Sequence, residues 1–236
     1  MKNFILTISC FLAILSASGQ TAEEFFLSGI KKSDAQNYAG ALNDYNKAIE
    51  TDSLYSNAYY DRGILRARIF HDYTGAIADY SKFIAFFPQY AEPYFNRGIL
   101  KYELDDYTGA IADYTKAIEI DPQNIDAFYY RALSKEKLHD FNGVIEDYTK
   151  VIELDPENFP SYNNRGYAFS NIAKYKEAIA DYTKVIELNP EFSDAYYNRG
   201  NAKFDSGDTI GACSDWKRVV ELGNSSALNL INQYCK

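Results

Sequence analysis

A repeat of 34 residues runs through most of this chain of 236 residues, and it constrains the fold more than any other feature. The sequence Asp-Tyr-Thr-Lys, for example, occurs at 113–116, 147–150 and 181–184. A fixed period of this length is typical of an array in which one supersecondary unit stacks on copies of itself. Six repeats follow, and the second has one extra residue between Arg62 and Tyr73. Their ranges are 22–55, 56–90, 91–124, 125–158, 159–192 and 193–226.

Within each repeat the apolar residues have the spacing of two helices. In the third repeat Ala110, Tyr114, Ala117 and Ile118 fall at i, i+4, i+7 and i+8, which is one face of an α-helix. Asp106 precedes this helix and is placed to accept a hydrogen bond from its free amides as an N-cap. Each repeat is therefore predicted to be helix, turn, helix, turn, and the fold class to be all-α.

This pattern resembles the tetratricopeptide repeat family, whose signature combines an aromatic residue, Leu-Gly, Tyr, Ala, a second aromatic residue and a closing Pro. The matching positions of the third repeat are Tyr94, Arg97, Gly98, Lys101, Ala110, Tyr114 and Pro122. The resemblance covers residues 22–226 and implies a right-handed α-solenoid of six helix-turn-helix repeats. Residues 227–236 are then left over, and we expect them to form a C-terminal capping helix.

Two departures from the family signature place cations near the predicted core, where a buried cation needs a partner. Arg replaces the usual Leu at Arg62, Arg97, Arg131, Arg165 and Arg199. Lys or Arg replaces the usual aromatic residue at Lys32, Arg66, Lys101, Lys135 and Lys203. An Asp precedes the large aromatic residue of every second helix, at Asp44, Asp79, Asp113, Asp147, Asp181 and Asp215. Two explanations stay open: an Arg–Asp ladder within or between repeats, or Arg stems on aromatic rings with their charged ends in water.

The resemblance implies that function belongs to the concave face lined by the first helices, because solenoid curvature creates an extended binding surface. Aromatic side chains there supply contact area, and the amide of Asn can bond a peptide backbone as donor and as acceptor. The candidate residues are Phe26, Tyr60, Phe95, Asn96, Tyr129, Asn163, Asn164, Tyr197 and Asn198, with Asp61 beside them. The alternative is that these aromatic side chains only pack against the next repeat.

The charge of the chain limits the class of partner. The sequence has 33 Asp and Glu against 24 Lys and Arg, a formal charge of −9, which disfavours nucleic acid and anionic membranes. Some family members bind acidic chaperone tails through a Lys/Asn/Arg clamp, but here Glu92, Asp126 and Asp194 stand where its cations are needed. We therefore expect a protein or peptide partner that is basic or neutral and partly apolar.

Residues 1–19 have the pattern of a secretory signal peptide. A short cationic start precedes the apolar run from Phe4 to Ala17, and the small residues Ala17-Ser18-Gly19 follow it. The run is shorter than the roughly 20 residues that span a membrane. The prediction is an exported protein, periplasmic or extracellular, without a membrane span after cleavage. A lipoprotein cut at Cys10 is the rival interpretation.

The predicted cleavage determines how many cysteines the mature protein keeps. Cleavage removes Cys10 and leaves Cys213 in the last repeat and Cys235 in the expected capping helix. Disulfides persist in the compartments that receive exported proteins. The hypothesis is one disulfide that staples the cap, and the alternative is two free thiols.

No cofactor, metal site or catalytic residue is predicted. The only histidines, His71 and His139, fall in turns of different repeats, and no Gly-rich phosphate loop occurs. The predicted function is a protein interaction module or scaffold. Two alternatives come from other classes: a self-assembling structural element of an envelope complex, or an enzyme whose site the sequence does not reveal.

Overall fold

A computed structural model of the protein describes residues 20–236, and the predicted signal peptide with Cys10 lies outside the described residues. All regular structure in residues 20–236 is helical, which confirms the predicted all-α class. The chain divides into two compact parts, an N-terminal unit that ends at Pro88 and a C-terminal unit of residues 89–236.

The N-terminal unit consists of two helical hairpins. The first pairs α1 (Ala22–Asp34) with α2 (Tyr38–Thr51), and the second pairs α3 (Ser56–Leu65) with α4 (Tyr73–Phe86). A π-helical turn, Arg66–Phe70, continues α3 at the place where the sequence has its extra residue. A π-turn accommodates one more residue than an α-turn without ending the helix. The insertion is therefore absorbed inside the first helix of the hairpin and not in the loop.

The C-terminal unit consists of four helical hairpins and a short final helix. The hairpin helices are α5 (Ala91–Glu103), α6 (Tyr107–Ile120), α7 (Ile125–Lys137), α8 (Phe141–Leu154), α9 (Phe159–Asn171), α10 (Tyr175–Leu188), α11 (Ser193–Asp205) and α12 (Thr209–Glu221). A 3-10 turn, Ser225–Ala227, then leads to α13 (Leu228–Tyr234). Each of the six hairpins begins at the first residue of a predicted repeat or close to it.

Most second helices begin with a carboxylate or amide cap followed three residues later by glycine. The Asp106 side chain accepts a hydrogen bond from the Gly109 amide at 2.9 Å, as its position in the sequence predicts. A Cβ at position 109 would lie 2.1 Å from Asp106 Oδ2, so glycine leaves room for the cap. The exception is α10, where Lys174 precedes the helix without a side-chain cap and Glu177 replaces the glycine.

Small residues of the first helices face large rings of the second helices. A Cβ at Gly98 would lie 2.7 Å from Cε1 of Tyr114, whose side chain is fully buried. The close approach of the two helices therefore depends on the missing side chain. In the fourth repeat Ala132 takes this position beside the fully buried Tyr148.

The final helix packs on the last hairpin. Leu230 and Ile231 contact a cluster that includes the buried Val219. Cys213 of α12 and Cys235, directly after α13, form a disulfide with their Cα atoms 5.6 Å apart. The bond joins residues that are 22 positions apart in the sequence, and it ties the cap to the array.

Replacing both cysteines by serine is expected to destabilise the cap. For a closed loop of this length the chain-entropy model gives a loss of about 3 kcal/mol in the free energy of unfolding. Amide hydrogen exchange in α13 measures the local effect, and reduction of the wild-type protein by dithiothreitol should reproduce it. A mass of the unreduced protein with two additional hydrogens would show free thiols and contradict the bond.

Candidate binding face of the first helices

A buried ion pair fixes each first helix against its second helix, as the fourth repeat shows. Asp147 accepts hydrogen bonds from Arg131 Nε through Oδ2 at 3.0 Å and from Arg131 Nη2 through Oδ1 at 2.6 Å. Lys135 Nζ lies 2.8 Å from Oδ2 of the same carboxylate. The Asp147 side chain is only 2% exposed. The remaining Arg131 nitrogen, Nη1, donates to Thr115 Oγ1 of the preceding hairpin at 3.0 Å. The guanidinium group therefore links two neighbouring repeats.

The same two-pronged pair recurs within single repeats in both units. The pairs are Arg62–Asp79, Arg97–Asp113, Arg131–Asp147, Arg165–Asp181 and Arg199–Asp215. Each of these guanidinium groups also lies 5.5 to 5.7 Å from the ring three residues earlier. Of the two explanations that the sequence left open, the Arg–Asp pair forms, inside one repeat, and the charged end of the Arg also lies over an aromatic ring.

Two repeats vary this pattern, and the pKa values of their carboxyl groups respond in opposite directions. Burial acts to raise the pKa of Asp44, but hydrogen bonds from Lys32 and Ser28 outweigh it and hold that pKa below its ordinary value. Burial raises the pKa of Asp181, because Phe169 stands where the other repeats have a second cation and only Arg165 offsets the burial. The buried carboxylate of the fifth repeat therefore has one cation and, in the described part of the chain, no second side chain to offset its burial.

Asparagine side chains join the first helices of the C-terminal unit across the repeats. Asn164 Nδ2 donates to the hydroxyl groups of Tyr148 at 3.1 Å and Tyr129 at 3.4 Å. Asn163 Nδ2 donates to Asn164 Oδ1, and Asn198 Nδ2 donates to Asn163 Oδ1, both at 3.3 Å. These residues are half-buried, so the chain of amides lies at a surface.

We call this surface the first-helix face. It is formed by α5, α7, α9 and α11, and its residues are Phe95, Asn96, Tyr129, Tyr130, Asn163, Asn164, Tyr197 and Asn198. The predicted residues of the C-terminal unit are all half-buried, and none of them is enclosed in the core. The structure thus leaves them partly accessible, which a binding role requires.

Tyr130 is a residue of this face that the sequence analysis missed. Its ring lies 5.8 Å from Phe95 and 6.0 Å from Tyr129. It occupies the same place in its repeat as Asn96 and Asn164, so the register of the repeat was the signal that could have identified it.

The two predicted residues of the N-terminal unit are placed differently. Phe26 is 9% exposed and belongs to the core, because the rings of Tyr45 and Tyr55 lie 5.9 and 5.2 Å from it. The expectation that Phe26 contacts a partner is therefore corrected: Phe26 is a packing residue. Tyr60 is half-buried, and its ring lies 4.9 Å from that of Phe83.

Carboxyl groups stand near the beginnings of three first helices of the C-terminal unit. Glu92, Asp126 and Asp194 are exposed in the first turns of their helices. Glu136 is half-buried and has no hydrogen bond or ion pair among the described residues. Burial raises the pKa of Glu136, and the charge of Lys137 offsets this only in part. A cationic group brought to this place would gain a partner.

The part of the chain that the structure describes holds no group of three His, Cys, Asp or Glu placed to bind a metal ion. His71 and His139 lie in turns, as predicted, with left-handed φ angles of 51° and 58°. Within residues 20–236, every helix is too short or too polar to cross a membrane.

Models of known families match the C-terminal unit. A TPR repeat model matches residues 100–138 and 174–207, and a tetratricopeptide repeat model matches residues 147–180. The matched segments are tetratricopeptide repeats. No curated protein sequence matches the chain.

Solved structures of tetratricopeptide repeat proteins share the fold of this chain. YrrB, described as a TPR protein with an unusual peptide-binding site, has a TM-score of 0.71 at 21% identity, with 80% of this chain and 97% of YrrB covered. MamA has a TM-score of 0.67 at 23% identity, with 73% and 94% covered. A tetratricopeptide repeat protein from Parabacteroides merdae has a TM-score of 0.55 at 19% identity, with 93% and 86% covered. At these identities the likeness concerns the fold alone.

A second unpaired carboxyl group of this repeat protein lies in the N-terminal unit. Asp61, which the sequence placed beside the candidate residues, is half-buried and has no hydrogen bond or ion pair among the described residues. Burial raises its pKa to about 6. Ionised Asp61 therefore destabilises the native state of the unliganded protein.

Replacing Asp61 by asparagine is expected to raise stability near neutral pH. An acid whose pKa is raised by folding holds its proton more tightly in the native state, so stability is lost as the pH rises from about 4 to about 6. The Asp61→Asn variant removes this loss, which we place at about 2 kcal/mol after allowing for partial solvent screening. Urea unfolding of both proteins at pH 5 and pH 7.5 measures it. Equal pH dependence in the two proteins would contradict the raised pKa.

Proposed function

We propose that this protein binds a segment of a partner protein on the first-helix face of its C-terminal unit, outside the cytoplasm. The role is one of binding and scaffolding and not of catalysis. The partner segment is basic or neutral and partly apolar.

The observation that supports this proposal best is the chain of asparagine amides between α7, α9 and α11. Asn164 and Asn198 each hold their side chains at the face through hydrogen bonds to neighbouring helices. Side-chain amides fixed in this way can exchange hydrogen bonds with the N–H and C=O groups of an extended peptide. The adjacent rings of Tyr129 and Tyr130 offer rigid apolar area at little entropic cost.

Charge supports the choice of partner. The exposed carboxylates of Glu92, Asp126 and Asp194 and the unpaired Glu136 attract a basic segment and repel an acidic one. YrrB, which shares the fold, is itself described as having a peptide-binding site. That description supports a peptide ligand for the present chain without identifying it.

The test is affinity capture from an extract of the source cells, with the wild-type protein and the double variant Tyr129→Ala/Asn164→Ala. We expect the variant to lose the specific partner, because both groups leave the centre of the face together. A matched control is Lys150→Ala/Glu153→Ala, which removes an exposed ion pair from the second helix α8 and should capture the partner normally. Identical partners and amounts for all three proteins would exclude the first-helix face.

The location outside the cytoplasm rests on the pattern of residues 1–19 and on the chemistry of the Cys213–Cys235 bond, which oxidising compartments preserve. Cell fractionation followed by N-terminal sequencing of the isolated protein tests it. We expect a chain that begins at or near Gln20 in the exported fraction. A cytoplasmic chain that retains the initial apolar run would contradict export.

A further inference from the structure

A cavity of about 380 Å³ opens in the N-terminal unit, between the first hairpin, α3 and the π-turn. Ile30, Ile64 and Ile69 contribute its aliphatic walls. Tyr45 and Asp61 supply polar groups to the same cavity. It is large enough to accept a long side chain, and it combines apolar walls with oxygen atoms.

The polar groups in the cavity have no protein partner among the described residues. The ring of Tyr45 is buried, while Tyr45 also lines the cavity and its hydroxyl makes no hydrogen bond to another described residue. Asp61 likewise has no hydrogen bond or ion pair. Both groups line an open cavity, so each can form a hydrogen bond with a polar group that enters it.

In the C-terminal unit the two residues at the corresponding positions form a hydrogen bond with each other. Tyr148 and Asn164 occupy in their repeats the places of Tyr45 and Asp61, and they are joined by a hydrogen bond of 3.1 Å. In the N-terminal unit the corresponding pair remains apart. An available donor, the Tyr45 hydroxyl, and an available acceptor, the Asp61 carboxylate, instead face one cavity.

The π-turn lies beside this open pair. Ile69, which forms part of the cavity wall, belongs to the turn that absorbs the extra residue of the second repeat. Single π-turns inside α-helices are frequent at functional sites. The insertion and the open polar pair therefore occur in the same place.

The charges around the cavity select a cation. Asp61 is the half-buried charge, whereas Asp34 of α1 and Arg68 of the π-turn are exposed at the edge and carry opposite charges. Tyr38 and Tyr45 are the neutral titratable groups that line the cavity, and burial raises the pKa of Tyr45, to which the charge of Asp61 adds. Among the described residues that line the cavity, Asp61 is therefore the half-buried charge, and the cation Arg68 is exposed at the edge.

We propose that this cavity binds a cationic side chain, lysine or arginine, of a partner segment. The aliphatic stem lies along Ile30, Ile64 and Ile69, and the charged end donates hydrogen bonds to the Asp61 carboxylate and the Tyr45 hydroxyl oxygen. Such side chains combine an apolar stem with a charged end, which matches the walls and oxygens of the cavity. The proposal rests on the proposed function in that the occupant belongs to a protein partner.

The test is a titration of the full chain, labelled at isoleucine methyl groups, followed by NMR. The probes are the capped peptides Ac-Ala-Lys-Ala-NH2 and Ac-Ala-Leu-Ala-NH2, and free butylamine. We expect the lysine peptide to shift the methyl signals of Ile30, Ile64 and Ile69, while the leucine peptide does not. Because the cation must meet an ionised carboxylate, binding should weaken about tenfold between pH 7.5 and pH 5.

Single variants measure the separate contributions of Asp61 and Tyr45 to binding. Asp61→Asn should weaken binding of the lysine peptide at least tenfold, on the order of a lost charge-assisted bond, and Tyr45→Phe about threefold. Glu50→Gln, which removes an exposed charge from α2, is the matched control and should bind as the wild type does. Thermal melts verify the fold of each variant.

Three results would overturn the proposal: unchanged binding by Asp61→Asn, equal binding of the leucine peptide, or tighter binding of butylamine than of the lysine peptide. The last result would assign the cavity to a free amine. The titration is independent of the first-helix face, so the proposed function fails separately if Tyr129→Ala/Asn164→Ala leaves partner capture unchanged.

Discussion

Replacing Asp147 by asparagine is expected to lower the free energy of unfolding by about 3 to 5 kcal/mol, although the two side chains have nearly the same shape. The carboxylate is almost fully buried and receives hydrogen bonds from Arg131 together with an ion pair from Lys135. Its neutral replacement leaves two cations without a counter-charge in a place where water cannot solvate them well. Urea unfolding followed by far-ultraviolet circular dichroism measures the loss.

Two matched variants allow the loss of stability in Asp147→Asn to be compared with the loss at less strongly paired carboxylates. Asp181→Asn removes a carboxylate that pairs with Arg165 alone, so the loss should be clearly smaller than for Asp147→Asn. Glu153→Gln removes an ion pair with Lys150 whose two side chains are both more than half exposed, and it should leave stability unchanged. Equal effects at positions 147 and 181 would contradict the role assigned to the second cation.

Replacing Tyr148 by alanine is expected to cost about 3 to 5 kcal/mol, the range for removal of a large buried ring. The Tyr148 side chain is fully buried, and burial raises the pKa of its hydroxyl well above the ordinary value. Its ring lies 5.4 Å from that of Tyr129, and its hydroxyl accepts a hydrogen bond from Asn164. The substitution therefore removes core packing and one support of the first-helix face at the same time.

The Tyr148→Phe variant separates these two effects. It keeps the ring and loses only the hydroxyl, so the expected destabilisation is about 1 kcal/mol. The amide nitrogen of Asn164 then donates to Tyr129 alone, and partner capture should weaken while the fold persists. A loss of stability as large as that of Tyr148→Ala would show that the hydroxyl, and not the ring, dominates.

The sequence predicted the helical hairpins because their signals repeat and reinforce one another. The alternation of small and large residues, such as Gly98 and Tyr114, fixes both the two helices and their close contact. The Arg and Asp series also indicated an ion pair, but the sequence could not choose the partner. Arg131 is 16 residues before Asp147 and a similar distance after Asp113, and only the packing of the helices selects the former.

Other features depend on contacts that periodicity does not describe. Phe26 has the register of a surface residue, but the ring of Tyr55 covers it. Tyr55 is the last residue of the first repeat, and the last residues of the third and fourth repeats are the helix caps Asn124 and Asn158. The extra residue of the second repeat was visible in the alignment, yet nothing in the sequence showed that a π-turn would absorb it. The cavity beside Asp61 was therefore beyond sequence analysis.

The hydrogen bond from Arg131 to Thr115 has a consequence for anyone who shortens, lengthens or recombines this array. A segment cut at the start of α7 separates the arginine from its threonine acceptor, although the helical hairpin itself stays whole. A segment that begins with α6 and ends with α8 keeps the threonine, the arginine and the aspartate together. The transplantable module is therefore longer by one helix than the hairpin that the helical pattern suggests.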